Sequence, residues 1–134
     1  MTKILTVGVF DYFHYGHLRL FLQARSVSDN PFLIVGVQDE NFIKKYKPDT
    51  KIFYSTKIRC EIVSSIRFVD KVVVYTDISK SISEIDFDVF AVGEDQNHDG
   101  FQKAIEWCKK NNKKVVKLKR TKNISSTEIK QKIH

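Results

Sequence analysis

Two histidines stand three residues apart near the N-terminus, in the stretch TVGVFDYFHYGH that runs from Thr6 to His17. An apolar run breaks off at Asp11, and His14 and His17 then flank Gly16 where a helical pattern begins. The N-terminus of a helix offers unpaired N–H groups and a partial positive charge, so it binds anions. Imidazole N–H groups add donors toward charge that grows on a phosphoryl oxygen. The pattern predicts a nucleotide triphosphate site.

Two other interpretations of the histidine pair stay open on the residues alone. Each ring is an ordinary satisfied side chain, or the pair begins a zinc site. His98 and His134 lie too far away in sequence to complete a metal site by spacing, and Cys60 and Cys108 form no CxxC motif. Neither GxxxxGK[ST] nor GxGxxG is present.

A second anion-binding segment lies near the other end of the chain. The stretch RTKNISSTEI, Arg120 to Ile129, holds a capping box in which Ser125 is followed three residues later by Glu128. A plain capped helix is the simpler interpretation. Beside the histidine pair, the segment would hold the β- and γ-phosphates while the histidines hold the α-phosphate.

Short apolar strands and amphipathic helices alternate along the chain and must position these two segments. The expected strands are Lys3–Val9, Phe32–Val37, Lys71–Tyr75, Val89–Val92 and Val115–Leu118. The expected helices are His17–Ser26, Thr56–Arg67, Phe101–Lys110 and Ser126–Ile133, with loop for much of Asp39–Ser55. This alternation predicts a parallel sheet covered on both faces, in which ligands bind beyond the carboxyl ends of the strands.

Composition narrows the function classes. A chain of 134 residues with 42% apolar and 29% charged residues is typical of one globular domain, here 1–134. No apolar run approaches the length of a membrane span and no signal peptide is visible, so we expect a cytoplasmic protein that binds no membrane. The net charge of +7 arises because residues 109–134 hold ten Lys or Arg against one acid, while the rest is slightly negative. This basic segment lacks aromatic residues, so the sequence does not favour nucleic-acid binding.

Four segments together resemble a known family. GVFDYFHYGH resembles the G-x-[FWY]-D-x-x-H-x-G-H motif of the HxGH nucleotidylyltransferase superfamily. IRFVDKV, DVFAVGED and RTKNISSTEIK resemble the RYVDEV, DVFVMGDD and RTxGISTTxIK segments of its cytidylyltransferase branch, in the same order. The resemblance implies a Rossmann-like three-layer α/β domain with a five-stranded parallel sheet in the order 3-2-1-4-5 and helices on both faces.

The resemblance also implies the reaction and its residues. A homodimer would transfer CMP from CTP, with Mg²⁺ carried on the CTP phosphates, to a small phosphomonoester such as glycerol 3-phosphate, by direct in-line attack. The residues matched to catalysis are His14, His17, Lys44 (or its neighbours Lys45 and Lys47) and Arg120. Those matched to the nucleotide and the outgoing pyrophosphate are Val9, Phe10, Asp11, Gly16, Asp95, Thr121, Ile124, Ser125, Ser126 and Thr127. Those matched to the acceptor phosphate are Arg59, Arg67 and Lys47, and no residue is matched to a metal.

Three departures from that branch bear on the acceptor. Gln96 stands where the enzymes that use glycerol phosphate carry tryptophan, Asn123 replaces a glycine, and the loop Tyr46–Tyr54 is longer. The alternatives are therefore phosphoethanolamine, phosphocholine, another sugar or polyol phosphate, or a sister enzyme that uses ATP.

Overall fold

Five parallel strands form one sheet in a computed structural model, which describes residues 1–119 of the chain. The strands are β1 (Thr2–Gly8), β2 (Pro31–Gln38), β3 (Lys71–Tyr75), β4 (Val89–Gly93) and β5 (Lys114–Leu118), in the order β3-β2-β1-β4-β5. The expected fold class and strand order are confirmed. The chain adds β2 and β3 on one side of β1 and then β4 and β5 on the other. The switch point, where this strand order reverses, therefore lies at the carboxyl ends of β1 and β4.

Helices cover both faces of the sheet because successive residues of each strand point to opposite sides. The helices are α1 (Tyr15–Arg25), α2 (Glu40–Tyr46), α3 (Thr56–Ser64), α4 (Ile78–Ser81) and α5 (Asp99–Lys110), with a short 3-10 turn at Ile82–Glu84. On one face Ile4 packs with Phe21 of α1 and Val63 of α3. On the other face Leu5 packs with side chains of α4 and α5.

The segment after β2 differs from the sequence expectation. The prediction of loop holds for residues 47–55 but is wrong for Glu40–Tyr46, which forms α2. The carboxylate of Asp39 accepts the backbone N–H groups of Asn41 and Phe42 and so caps this helix, while Ile43 is buried. The short helix α4 was also not predicted, and the expected helix Ser126–Ile133 lies outside the described residues.

Candidate active site

The turn that joins β1 to α1, which we call the histidine turn (residues 9–17), is closed by its own histidines. The Nδ1 atom of His14 accepts the backbone N–H of Gly16 at 3.0 Å, and the Nδ1 atom of His17 accepts the backbone N–H of His14 at 3.3 Å. The two side chains thus build a reciprocal capping box, a role usually filled by Ser or Thr with Glu or Gln. The helix that was expected to begin at His17 begins instead at Tyr15.

These hydrogen bonds fix the tautomer of both rings. A ring nitrogen that accepts an N–H carries no proton, so each neutral imidazole holds its proton on Nε2. The rings stack with centroids 3.9 Å apart and planes inclined by 21°. The turn therefore presents two neighbouring Nε2–H donors at the N-terminus of α1.

The surroundings of His17 keep it neutral. Its ring packs against Phe10 at 5.2 Å and Phe13 at 5.3 Å between centroids. Burial first, and the adjacent His14 second, lower the pKa of His17 from 6.5 to about 3. Near neutral pH it is therefore a hydrogen-bond donor and not a proton donor.

Backbone strain is concentrated in this turn. Phe10 and Tyr12 adopt φ angles of 55° and 51°, a left-handed region that aromatic residues rarely occupy. Phe10 is nevertheless held because its ring lies over Gly8, where a Cβ would come within 2.9 Å of the ring. Such strain persists only where the surrounding structure determines the conformation strongly, as at binding and catalytic sites.

Asp11 fastens the histidine turn to the segment before α3. It is buried, and its two carboxylate oxygens accept the backbone N–H groups of Phe53 at 2.7 Å and Tyr54 at 3.1 Å. The ring of Tyr12 packs against Phe53 at 4.8 Å. Asp11 thus links the histidine turn to residues 53 and 54, and its role toward the nucleotide stays a prediction.

Arg59 stabilises the histidine turn through the hydrogen bonds of its side chain. Its side chain has no exposed surface, and its guanidinium donates to the carbonyl oxygens of Tyr54, Val9 and Gln38 and to the hydroxyl of Thr56. Burial lowers its pKa, while nearby Asp11 acts in the opposite direction. The guanidinium is thus occupied by protein oxygens, and its role in holding the acceptor phosphate stays a prediction.

A cavity of about 390 Å³ opens beside the turn at the carboxyl ends of β1, β2 and β3. Val9, Gln38 and Tyr75 form its floor, since each lies at or just after the end of a strand. The helices α2 and α5 supply aromatic walls, and Lys47 and Lys103 contribute positive charge at its rim. Its volume lies in the range of small-molecule sites.

The remaining predicted residues lie at one edge of the sheet, at the opposite edge, or outside the described residues. Lys44 and Lys45 are exposed on α2, where Lys44 pairs with Glu40 at 3.7 Å, and Asp95 is exposed in the loop after β4 at the same edge of the sheet. Arg67 is exposed before β3 and therefore lies at the opposite edge from the histidines of its own chain. The predictions for Arg120, Thr121, Ile124, Ser125, Ser126 and Thr127 fall outside the described residues.

The chain matches the cytidylyltransferase-like family model over residues 5–132. It belongs to this family. The cytidylyltransferase-like chain is 36% identical to a glycerol-3-phosphate cytidylyltransferase of Bacillus spizizenii, over 98% of this chain and 96% of that protein. It is 37% identical to an FAD synthase of Methanosarcina barkeri, over 72% of this chain and 67% of that one. A lipopolysaccharide core biosynthesis protein of Thermoplasma volcanium shares the fold, with a TM-score of 0.72 at 21% identity over 92% of this chain and 99% of that one.

Sequence reasoning missed several lining residues of this cytidylyltransferase-like domain. Gln38, Tyr75 and Asp77 border the cavity but belong to no motif. The signal that finds them is topological, because the residues that end adjacent parallel strands meet at one edge. Within residues 1–119 no three His, Cys, Asp or Glu side chains converge as a metal site, and no described helix is long and apolar enough to cross a membrane.

Proposed function

We propose that residues 1–134 form one catalytic domain that transfers CMP from CTP to a small phosphomonoester, with glycerol 3-phosphate as the first candidate. The observation that carries the proposal is the pair of histidines whose Nδ1 atoms cap α1 at the switch point of the sheet in a cytidylyltransferase-like chain. The whole-chain similarity to glycerol-3-phosphate cytidylyltransferases supports the acceptor.

The proposed reaction needs no nucleophile from the protein. An anionic oxygen of the acceptor phosphate attacks the α-phosphorus in line, the bond to the bridging oxygen of the β-phosphate breaks, and pyrophosphate leaves with the electron pair. The Nε2–H groups of His14 and His17 donate to the α-phosphate, where charge builds up. The acceptor phosphate is already ionised, so no general base is required.

The other residues hold the two substrates. Lys47 at the cavity rim is proposed to contact the acceptor phosphate, and Lys44 to neutralise the triphosphate. By resemblance, Asp95, Thr121 and Ile124 contact the nucleotide, and Arg120 with Ser125, Ser126 and Thr127 takes the pyrophosphate. Mg²⁺ would arrive on the triphosphate, because this ion is usually held by substrate phosphates and few protein groups, and it would neutralise charge there. A homodimer in the cytoplasm is part of the proposal.

A second candidate keeps the chemistry and enlarges the acceptor. The cavity of about 390 Å³ lies in the range of sites that bind small molecules. Its walls include the rings of Phe42, Tyr46 and Phe101. Together with the similarity to FAD synthases, this favours a phosphomonoester that carries an aromatic group, with ATP or CTP as donor.

One panel tests both candidates. The purified chain is incubated with Mg²⁺ and either CTP or ATP, and with glycerol 3-phosphate, phosphoethanolamine, phosphocholine or flavin mononucleotide. Release of pyrophosphate with CTP and a small phosphomonoester supports the first candidate, and release only with the flavin supports the second. No pyrophosphate from any combination would contradict both.

A further inference from the structure

β1 pairs with its two neighbouring strands over unequal lengths. β1 pairs with β2 over seven positions, from Thr2↔Pro31 to Gly8↔Val37. It pairs with β4 over only two, Ile4↔Val89 and Leu5↔Phe90. The backbones of β1 and β4 therefore separate toward their carboxyl ends and leave a crevice. In sheets of this kind the crevice at the switch point is the place where a nucleotide binds.

The side chain of Gln96 crosses that crevice. Its Oε1 atom accepts the backbone N–H of Gly93 in β4 at 2.9 Å, and its Nε2 atom donates to the carbonyl oxygen of Val7 in β1 at 2.9 Å. A side-chain amide has the same donor and acceptor as a peptide group. Gln96 thus bridges β1 and β4 at the point where the strands no longer pair directly through their backbones.

Both anchor points lie next to proposed nucleotide contacts. Val7 precedes Gly8, the residue on which the ring of Phe10 lies, and Phe10 in turn packs against His17. On the other side Gly93 lies close to the carboxylate of Asp95, since a Cβ at Gly93 would come within 3.1 Å of its Oδ1. The side-chain amide of Gln96 therefore joins β1, which leads into the histidine turn, to the start of the loop that carries Asp95.

We infer that Gln96 is a positioning residue of the nucleotide site, which fixes the spacing between the histidine turn and the Asp95 loop. The inference rests on the proposed function only in placing the nucleotide in this crevice. Gln96 acts through Val7 and Gly93 and takes no part in the chemical step.

The other contacts between β1 and β4 explain why this role is separable from folding. At the amino ends of the strands the backbone N–H of Asp88 donates to the carbonyl of Lys3, and the N–H of Lys3 donates to the carboxylate of Asp88. Those contacts and the buried core hold β1 against β4 without Gln96. Substitution of Gln96 is therefore expected to widen the mouth of the crevice while the domain stays folded.

The test compares two variants and a control, all in the full chain. Gln96→Met keeps the length of the side chain and removes both hydrogen bonds, and Gln96→Glu keeps the acceptor but removes the donor. Gln102→Met is the control, because Gln102 makes a single exposed bond to Asn97 outside the crevice. Calorimetry measures the Kd for CTP with Mg²⁺, and steady-state assays measure kcat and both KM values.

The expected result is selective. Gln96→Met weakens CTP binding by about tenfold or more, whereas the KM for the acceptor changes by less than about threefold and Gln102→Met behaves as the wild type. Gln96→Glu, which removes only the donor to the Val7 carbonyl, is expected to weaken CTP binding as well.

Two outcomes would overturn the inference. One is a Gln96→Met variant that folds and binds CTP within about twofold of the wild type. The other is an equal loss of CTP and acceptor binding together with a lowered unfolding midpoint, which would indicate a general structural role. If the wild type releases no pyrophosphate with any acceptor, the proposed function fails, and the Kd for CTP still decides the role of Gln96.

Discussion

The histidine turn and the neighbouring cavity lie at the same edge of the sheet but are built in opposite ways. In the turn, the side chains of Asp11, His14 and His17 all accept backbone N–H groups, and two residues are held in left-handed conformations. The cavity is lined by aromatic and polar side chains together with Lys47 and Lys103, and the ammonium group of neither lysine makes a hydrogen bond or ion pair with the described residues. The histidines proposed to act on the α-phosphate are thus held by the fold, whereas Lys47, proposed to bind the acceptor, is exposed.

The physical reason lies in what each region must do. Donors that stabilise a transition state act best when they are oriented before the reaction, because no free energy is then spent on reorientation. A lysine at a rim keeps its charge hydrated and reaches ligands of different shape. Substitutions that break one region and leave the other intact test this division.

The largest effect is expected at His14. We expect His14→Ala to lower kcat by about 100- to 1,000-fold, the usual loss for one transition-state donor, and to destabilise the protein by about 1 kcal/mol through loss of the cap. His14→Asn is the matched variant, since an asparagine oxygen also accepts the N–H of Gly16. It should lose the same activity with little change in stability. A kcat for His14→Asn near that of the wild type would contradict the role of the imidazole.

Substitution of Arg59 should destabilise the folded protein. Arg59→Met leaves the partly buried carbonyl oxygens of Val9, Gln38 and Tyr54 without their donor, at an expected cost of about 3–5 kcal/mol in the free energy of unfolding. Arg59→Lys should fall between this variant and the wild type. Urea denaturation measures the change. A stable Arg59→Met protein with a raised acceptor KM would instead support direct contact with the acceptor.

The low pKa of His17 predicts acid sensitivity. The folded chain resists protonation of this ring down to about pH 3, whereas the unfolded chain accepts a proton near pH 6.5. Stability at this residue is therefore fully present above about pH 6.5 and falls by up to about 1.4 kcal/mol for each pH unit below it. His17→Gln should reduce that slope between about pH 6.5 and about pH 4 in urea titrations, and should match the wild-type slope above about pH 7. Parallel curves over the whole range would contradict the buried neutral ring.

Lys47 should alter the use of acceptor alone. We expect Lys47→Met to raise the KM for the acceptor by about tenfold and to leave the KM for CTP and the stability nearly unchanged. Lys109→Met is the control, because Lys109 is exposed on α5 and lies outside the cavity. Equal effects of the two substitutions in kinetic assays would indicate only a change in net charge.

The smallest effect on stability concerns the ion pair of Lys44 and Glu40. Both groups lie on the surface of α2 with 3.7 Å between the charged atoms, and 59% of the lysine side chain is exposed. Lys44→Met should change the free energy of unfolding by less than about 0.5 kcal/mol. A larger loss in denaturation experiments would show that α2 is tied to the cavity more firmly than its exposure suggests.

Much of this arrangement could be predicted from the sequence, for identifiable reasons. Buried parallel strands are nearly continuous apolar runs, so all five were located to within a residue or two. The helix α2 was missed because Pro48 and the lysines indicated loop, although Asp39 is a good cap and Phe42, Ile43 and Tyr46 share one side of a helix. These local signals for a helix are weak, and the helix forms because Ile43 is buried against residues that are distant in the sequence.

The candidate site was predictable where it depends on local sequence. The histidine spacing and the strand that ends before Asp11 locate the turn, and the structure brings Asp11, His14 and His17 together. The burial of Arg59 was not predictable, because its partners come from segments up to 50 residues away. The bridge made by Gln96 was missed for the same reason, since Val7 lies 89 residues earlier in the chain.

The capping box ties the chemistry of this protein to its folding. His14 closes the first turn of α1, so a change that removes the imidazole also removes a partner of the Gly16 amide. Natural selection for a folded protein alone would therefore favour a side chain at position 14 that can accept a hydrogen bond. The short list of such caps includes Asn, Asp, Ser and Thr, and these shorter side chains do not place an N–H donor where the Nε2 atom of His14 lies. Variants that have lost catalysis at this position can thus remain well folded, and a nucleotide-binding protein without transferase activity is a single substitution away.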